Sequence, residues 1–142
     1  MNNYSEKFQK MRVAGKLASR TLDMLTDNIK PGVTTDSIDK LGYEFIRDNG
    51  GYSAPLYYRG FKKSLCTSLN HVVCHGIPSD RVLIEGDALN VDVTAIVDEH
   101  YGDTSRMFCV GKTPVKVNNL IDTTYESMMR AINLLKPGLK LG

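Results

Sequence analysis

The sequence predicts an α+β domain built as an antiparallel sheet flanked by helices. Three observations carry this reading. Apolar residues recur at steps of three or four over about the first fifty positions; from Tyr52 to about Val110 they fall into short runs broken by Gly, Pro, Ser and Asn; and the helical period returns between Leu120 and Leu135. At 142 residues, the span 1–142 is the size of one domain, able to bury roughly two-thirds of its unfolded surface and so to support a core.

The first helix opens at Asn3, with Glu6 three residues on as a capping box, and carries Phe8, Met11, Ala14, Ala18, Leu22, Leu25 and Ile29 on one face. KPG at Lys30 to Gly32 stops it, because proline lacks a helical donor and glycine accepts positive φ. Thr34 or Thr35 caps a second helix, which shows Ile38, Leu41 and Phe45 on one face and ends at Gly50 and Gly51. In the last helix Ile121, Tyr125, Met128, Ile132 and Leu135 share a face, and KPG returns at Lys136 to Gly138. Lys136 lies 106 positions after Lys30. The repeat fits either a common helix stop or the opening of a second copy of the same unit.

Between the helices, NVDVTAIVDEHYGDTSRMF reads as a hairpin. Leu89, Val91, Val93, Ala95 and Val97 form one face of its first strand, with Asn90, Asp92 and Thr94 on the other. A two-residue turn at Asp98 and Glu99 pairs Val97 with His100 and Asp92 with Ser105, which puts Asp103 diagonal to Asp92 on the polar face. Diagonal neighbours have β-carbons about 7 Å apart, near enough for two carboxylates to hold one ion, or two ions about 3.5 to 4 Å apart. Without a cation or a shared proton the two charges repel. A solvated sheet face is the other reading, and a turn longer or shorter by one residue would send the acids to opposite faces.

Composition narrows the partners. Eighteen Lys and Arg against 16 Asp and Glu give a formal charge of +2 spread along the chain, with no broad electrostatic footprint for nucleic acid or acidic membrane. YYRGFKK, Tyr57 to Lys63, is too short an aromatic and basic strip to specify RNA, and pocket lining or a solvated loop accounts for it as well. Three cysteines, Cys66, Cys74 and Cys109, together with a polar N-terminus, fit a reducing cytoplasm, and no run approaches the ~18 apolar residues of a membrane span. A zinc site from Cys66, His71, Cys74 and His75 is disfavoured, since adjacent ligands crowd a tetrahedron and the spacing matches no structural zinc pattern.

NHVVCHGIP, Asn70 to Pro78, and GDALNVDVTAIVDEHYGDTSRMF, Gly86 to Phe108, resemble the type I methionine aminopeptidases, whose fold is the pita-bread metallopeptidase fold. The resemblance runs from the first helix to the final KPGLKLG. It implies that Asp92 and Asp103 are two ligands of a site for two divalent ions (Mn, Fe, Co or Zn), and that His75 contacts the substrate near the scissile amide. It implies a methionine pocket at Tyr58, Phe61 and Cys66, with Phe61 where tyrosine is more usual and Pro55 at a variable wall position. His71 and His100 match no functional position. The implied activity is removal of the initiator methionine from nascent polypeptide N-termini in the cytoplasm, with encounter at the ribosome. Asp92, Asp103 and His75 together favour this over a non-catalytic pita-bread binding module, the alternative the fold allows.

The family builds its site from two pseudo-symmetric halves, and the remaining histidine and two glutamates come from the second. The expectation is that this chain is the first half, with the second starting at about 118–142. Two dications facing two aspartates and one hydroxide keep one positive charge unneutralised, so weak metal binding and little activity are expected of the chain alone. A lone half also exposes the apolar surface that its counterpart covers, which favours self-association. Sedimentation at rising concentration is expected to show dimers or larger species; a monodisperse monomer would contradict this.

Overall fold

The computed structural model describes residues 4–140. Helix α1 spans Tyr4–Thr26 and α2 Thr35–Asp48; strands β1 (Tyr52–Ser53), β2 (Cys66–Leu69), β3 (Ala88–Val97) and β4 (His100–Cys109) follow, then helix α3 (Val115–Leu134). All the strand pairings are antiparallel. β4 occupies one edge of β3 along its whole length, while β1 and β2 share the other edge end to end, at Ala95 and Ile96 and at Leu89 to Asp92 respectively. A strand has only two edges, so β3 is the axis of the sheet.

Alternation assigns the faces of β3. Leu89, Val91, Val93 and Ala95 are fully buried and meet Ala18, Leu22 and Leu25 of α1 and Ile38 and Ile46 of α2 in a single core. α1 lies across this face, tied at its edge by Arg106 of β4, which reaches Asp23 at 2.8 Å. Opposite Ala95 stands Gly102, where a β-carbon would come within 2.1 Å of Gly15 N and 2.2 Å of the Ala14 carbonyl carbon. Only glycine lets β4 press this closely against the helix backbone.

The apolar stripe of α1 is buried only from Ala14 onward; Phe8 and Met11 are exposed. Asn3 lies outside the described residues. Thr34 caps α2, its hydroxyl accepting from Ser37 N at 3.2 Å. Thr35 instead joins the turn before β3, exchanging hydrogen bonds with the backbone of Ser79. α3 starts at Val115, directly after Pro114, rather than at Leu120: proline fixes φ for a helix start whether or not the first turn is buried. None of its residues is buried, and Leu120, Tyr125, Met128, Ile132 and Leu135 are exposed.

One polar group fixes how α2 meets the sheet. Asp39 is nearly inaccessible, and its carboxylate accepts from Ser64 N at 2.7 Å and Leu65 N at 2.8 Å, at the entry to β2. Burial raises its pKa above the usual carboxylate range, outweighing those two donors and the nearby Lys63 charge. The folded state therefore keeps the Asp39 proton to higher pH than the unfolded chain. This contribution to stability is fully present below the unfolded value of about 3.9 and is lost as pH rises through the folded value. Asp39→Asn keeps an acceptor oxygen without the charge, so in urea titrations wild type should lose stability relative to it from about pH 4 upward. Parallel pH profiles would contradict this. Asp39→Ala strands two amides and should cost about 2 to 4 kcal/mol.

Candidate metal centre and active site

The hairpin turn decides where the acids go. Asp98 and Glu99 both take positive φ, 45° and 64°, the geometry of a two-residue turn whose twist matches the strands it joins. Val97 pairs with His100, Asp92 with Ser105 and Thr94 with Asp103. Asp92 and Asp103 thus share the face opposite the core, diagonal to one another, with Asp92 half-buried and Asp103 exposed.

They line a cleft of about 1000 Å³ together with His75, Tyr58, Phe61 and Cys66. These six residues and Pro55, all singled out in the sequence for this site, meet in this one space. β2 brings Cys66 beside Asp92 as its backbone partner. The loop after β2 carries His75, whose φ of 53° is left-handed. Tyr58 and Phe61 belong to a tight turn in which Tyr57 and Arg59 are also left-handed, at 67° and 49°.

The electrostatics follow from the geometry. Burial raises the pKa of Asp92, the adjacent Asp103 charge raises it further, and so does the hydrogen bond between the two carboxyls; the nearby His75 pulls the other way. A pair of carboxyls so close calls for a proton or a cation between them. Hard oxygen donors of this kind suit a divalent metal, so the two residues fit two of its ligands. Among the described residues no group of three or more His, Cys, Asp or Glu converges as a ligand set, and the two aspartates stand as a pair. The grouping of Cys66, His71, Cys74 and His75 falls with it: His71 instead lines a shallow depression with Thr35, Asn70 and Arg81.

Thr94 and Tyr101 also line the cleft and were not singled out in the sequence. The period-two rule finds both, since each lies two residues from one of the aspartates on the same face. Arg59, Lys62 and Ile77 reach it from loops, where no periodicity points. The basic strip at Tyr57 to Lys63 is thus in part cleft wall. His100 stands at the far end of the hairpin, its Nδ1 2.6 Å from the Asp98 carbonyl oxygen.

Burial, with smaller contributions from Asp92, Cys74, Asp39 and Asp103, pushes the Cys66 thiol up to about 11. It is therefore a neutral, apolar wall at physiological pH. With chelator present at pH 7.5, iodoacetamide should modify the exposed Cys74 and Cys109 and spare Cys66 until the chain unfolds, as read by peptide mass spectrometry. Modification of Cys66 as fast as Cys74 would contradict this environment.

Comparison with known proteins gives the same direction. The family model for metallopeptidase family M24 matches residues 9–142. The methionine aminopeptidase of Rickettsia prowazekii is 55% identical over 140 residues, covering 98% of this chain and 54% of that protein. The crystal structure of methionine aminopeptidase from Rickettsia prowazekii superimposes with a TM-score of 0.96 at 54% identity, over 97% of this chain and 56% of that one. The methionine aminopeptidase of Thermotoga maritima follows at 0.93 and 34%, over 96% and 55%. The chain spans about half the length of the relatives it matches. With its antiparallel sheet flanked by helices and its pita-bread fold, this chain belongs to metallopeptidase family M24.

Proposed function

We propose that this chain is the N-terminal, metal-binding half of a methionine aminopeptidase, a hydrolase that removes the initiator methionine from nascent polypeptides in the cytoplasm. The observation that carries the reading is the meeting of Asp92, Asp103 and His75 in one cleft whose other walls are largely apolar. A binding module has no chemical need to keep two carboxyls in costly proximity beside an imidazole. No helix among the described residues is long and apolar enough to cross a membrane.

Asp92 and Asp103 would hold divalent metal, two ions in the completed site, with Mn, Fe, Co and Zn all compatible with carboxylate donors. When bound, the metal supplies a Lewis acid that brings the pKa of water to about 7 and stabilises negative charge on a carbonyl oxygen. His75, exposed at the cleft edge, is available to hydrogen-bond the scissile amide and hold the carbonyl in line. Tyr58, Phe61 and the neutral Cys66 form a wall of aromatic and sulfur surface suited to a flexible thioether.

The division into halves draws support from the KPG repeat, whose two glycines take nearly equal φ of 92° and 88°. The uncovered apolar face of α3 supports self-association of the chain when alone.

The test is complementation. The chain mixed with the C-terminal half of the Rickettsia prowazekii relative, in Mn²⁺ or Co²⁺, should release methionine from Met-Ala-Ser, while the chain alone should bind metal weakly and cleave little. Asp103→Ala in the mixture should lower turnover by at least about a thousandfold, the scale expected when a group acting directly on transition-state charge is lost. Full activity in that variant would remove the aspartates from the mechanism, and two tightly bound ions per isolated chain would contradict the division into halves.

A further inference from the structure

The cleft histidine is held from behind, by a strand that does not itself reach it. His75 is exposed on a loop and takes a left-handed φ of 53°, which few residues with a side chain adopt and histidine more readily than most, so a local constraint is needed to fix it there. The next residue supplies that constraint. Gly76 lies flat on β2: its carbonyl accepts from Thr67 N at 2.8 Å and its N–H donates to Ser68 Oγ at 3.1 Å. A β-carbon there would sit 2.2 Å from the Thr67 carbonyl oxygen and 2.8 Å from Ser68 Cα, so no residue with a side chain fits without moving backbone. Two residues on, Pro78 is fully buried and fixes the exit of the loop.

The strand that receives Gly76 also carries Cys66, the backbone partner of Asp92. One short strand therefore sets both the loop of His75 and the position of Asp92. Resting on the aminopeptidase reading, we propose that Ser68 and Gly76 are positioning residues that lock the His75 imidazole beside the aspartates. Ser68 is 4% exposed and is not among the residues that line the cleft, so its hydroxyl acts on the site through the bond to Gly76 and not by touching substrate. Its hydroxyl replaces the backbone acceptor that Gly76 N–H would need in a regular ladder. Without it a half-buried donor loses its partner and the loop can lift.

Ser68→Ala is the informative variant, since Gly76→Ala meets backbone directly and is expected to fold poorly. His71, His75 and His100 give three independent ring signals in the chain labelled with ¹⁵N-histidine. In Ser68→Ala the His75 signals should broaden or split while those of His100 stay in place, and Ser68→Thr should restore them. Unchanged His75 signals, or equal changes at His75 and His100, would overturn the proposal. So would collapse of all three to unfolded positions, which would assign Ser68 to the fold as a whole.

In the complemented enzyme, Ser68→Ala should lower kcat roughly tenfold with KM little changed, the scale expected of slight misplacement of a reacting group. In a His75→Ala background the same change should cost less than about twofold, because its effect passes through the imidazole. Full additivity would overturn the proposal. Complementation that cleaves no peptide at all would sink the aminopeptidase reading and leave the histidine signals to decide the clamp.

Discussion

The site depends on the register of one hairpin. β3 is the axis of the sheet, and its pairing with β4 is set by the two left-handed residues Asp98 and Glu99. Side chains alternate along a strand, so a slip of one residue would turn Asp103 into the core and leave Asp92 alone on the polar face. The core enforces the same register from below. Leu89, Val91, Val93 and Ala95 are fully buried under α1, and Gly102 is the position at which the helix backbone touches β4. Packing on one face and chemistry on the other are thus two consequences of a single alignment. Asp98 tolerates the left-handed region better than most residues and Glu99 does not, so burial of the hydrophobic face reinforces the register that the turn sets.

Burial first, and then the neighbouring Asp103 charge, raises the pKa of Asp92, so keeping both carboxyls ionised here is unfavourable. The fold tolerates it because strong local ordering surrounds the pair. β2 is bonded to β3 beside Asp92, Asp39 of α2 grips the start of β2, and Gly76 returns the histidine loop to the same strand. Helix, strand and loop all converge on six residues, Ser64 to Leu69. A metal at the aspartates would relieve the repulsion, so the proposed function and the electrostatic strain have one resolution.

Much of this was legible in the sequence. Strict alternation in β3 follows from period-two geometry, and so does the diagonal placement of Asp92 and Asp103 once the turn at Asp98 and Glu99 has two residues, a length the sequence left open. The cap at Thr34 follows from backbone chemistry, whereas α1 ends at Thr26, before KPG, and leaves Ile29 beyond the helix. Less legible were features set by contacts distant in sequence. Phe8 and Met11 continue the helical stripe of α1 yet are exposed, because a stripe says which residues share a face and not how far the partner extends. Gly76 reads as one more turn glycine until β2 is seen against it. Arg59 and Lys62 reach the cleft through a turn with two left-handed residues, a path that no periodicity encodes.

The central claim is that Asp92 and Asp103 act as one donor pair, and paramagnetic broadening by Mn²⁺ tests it directly even where binding is weak. In the labelled chain, Mn²⁺ should broaden the signals of Thr94, Tyr101 and His75 first, and either Asp92→Asn or Asp103→Asn alone should remove most of that broadening. Broadening that persists undiminished in one of these variants, or that begins elsewhere on the surface, would contradict the account.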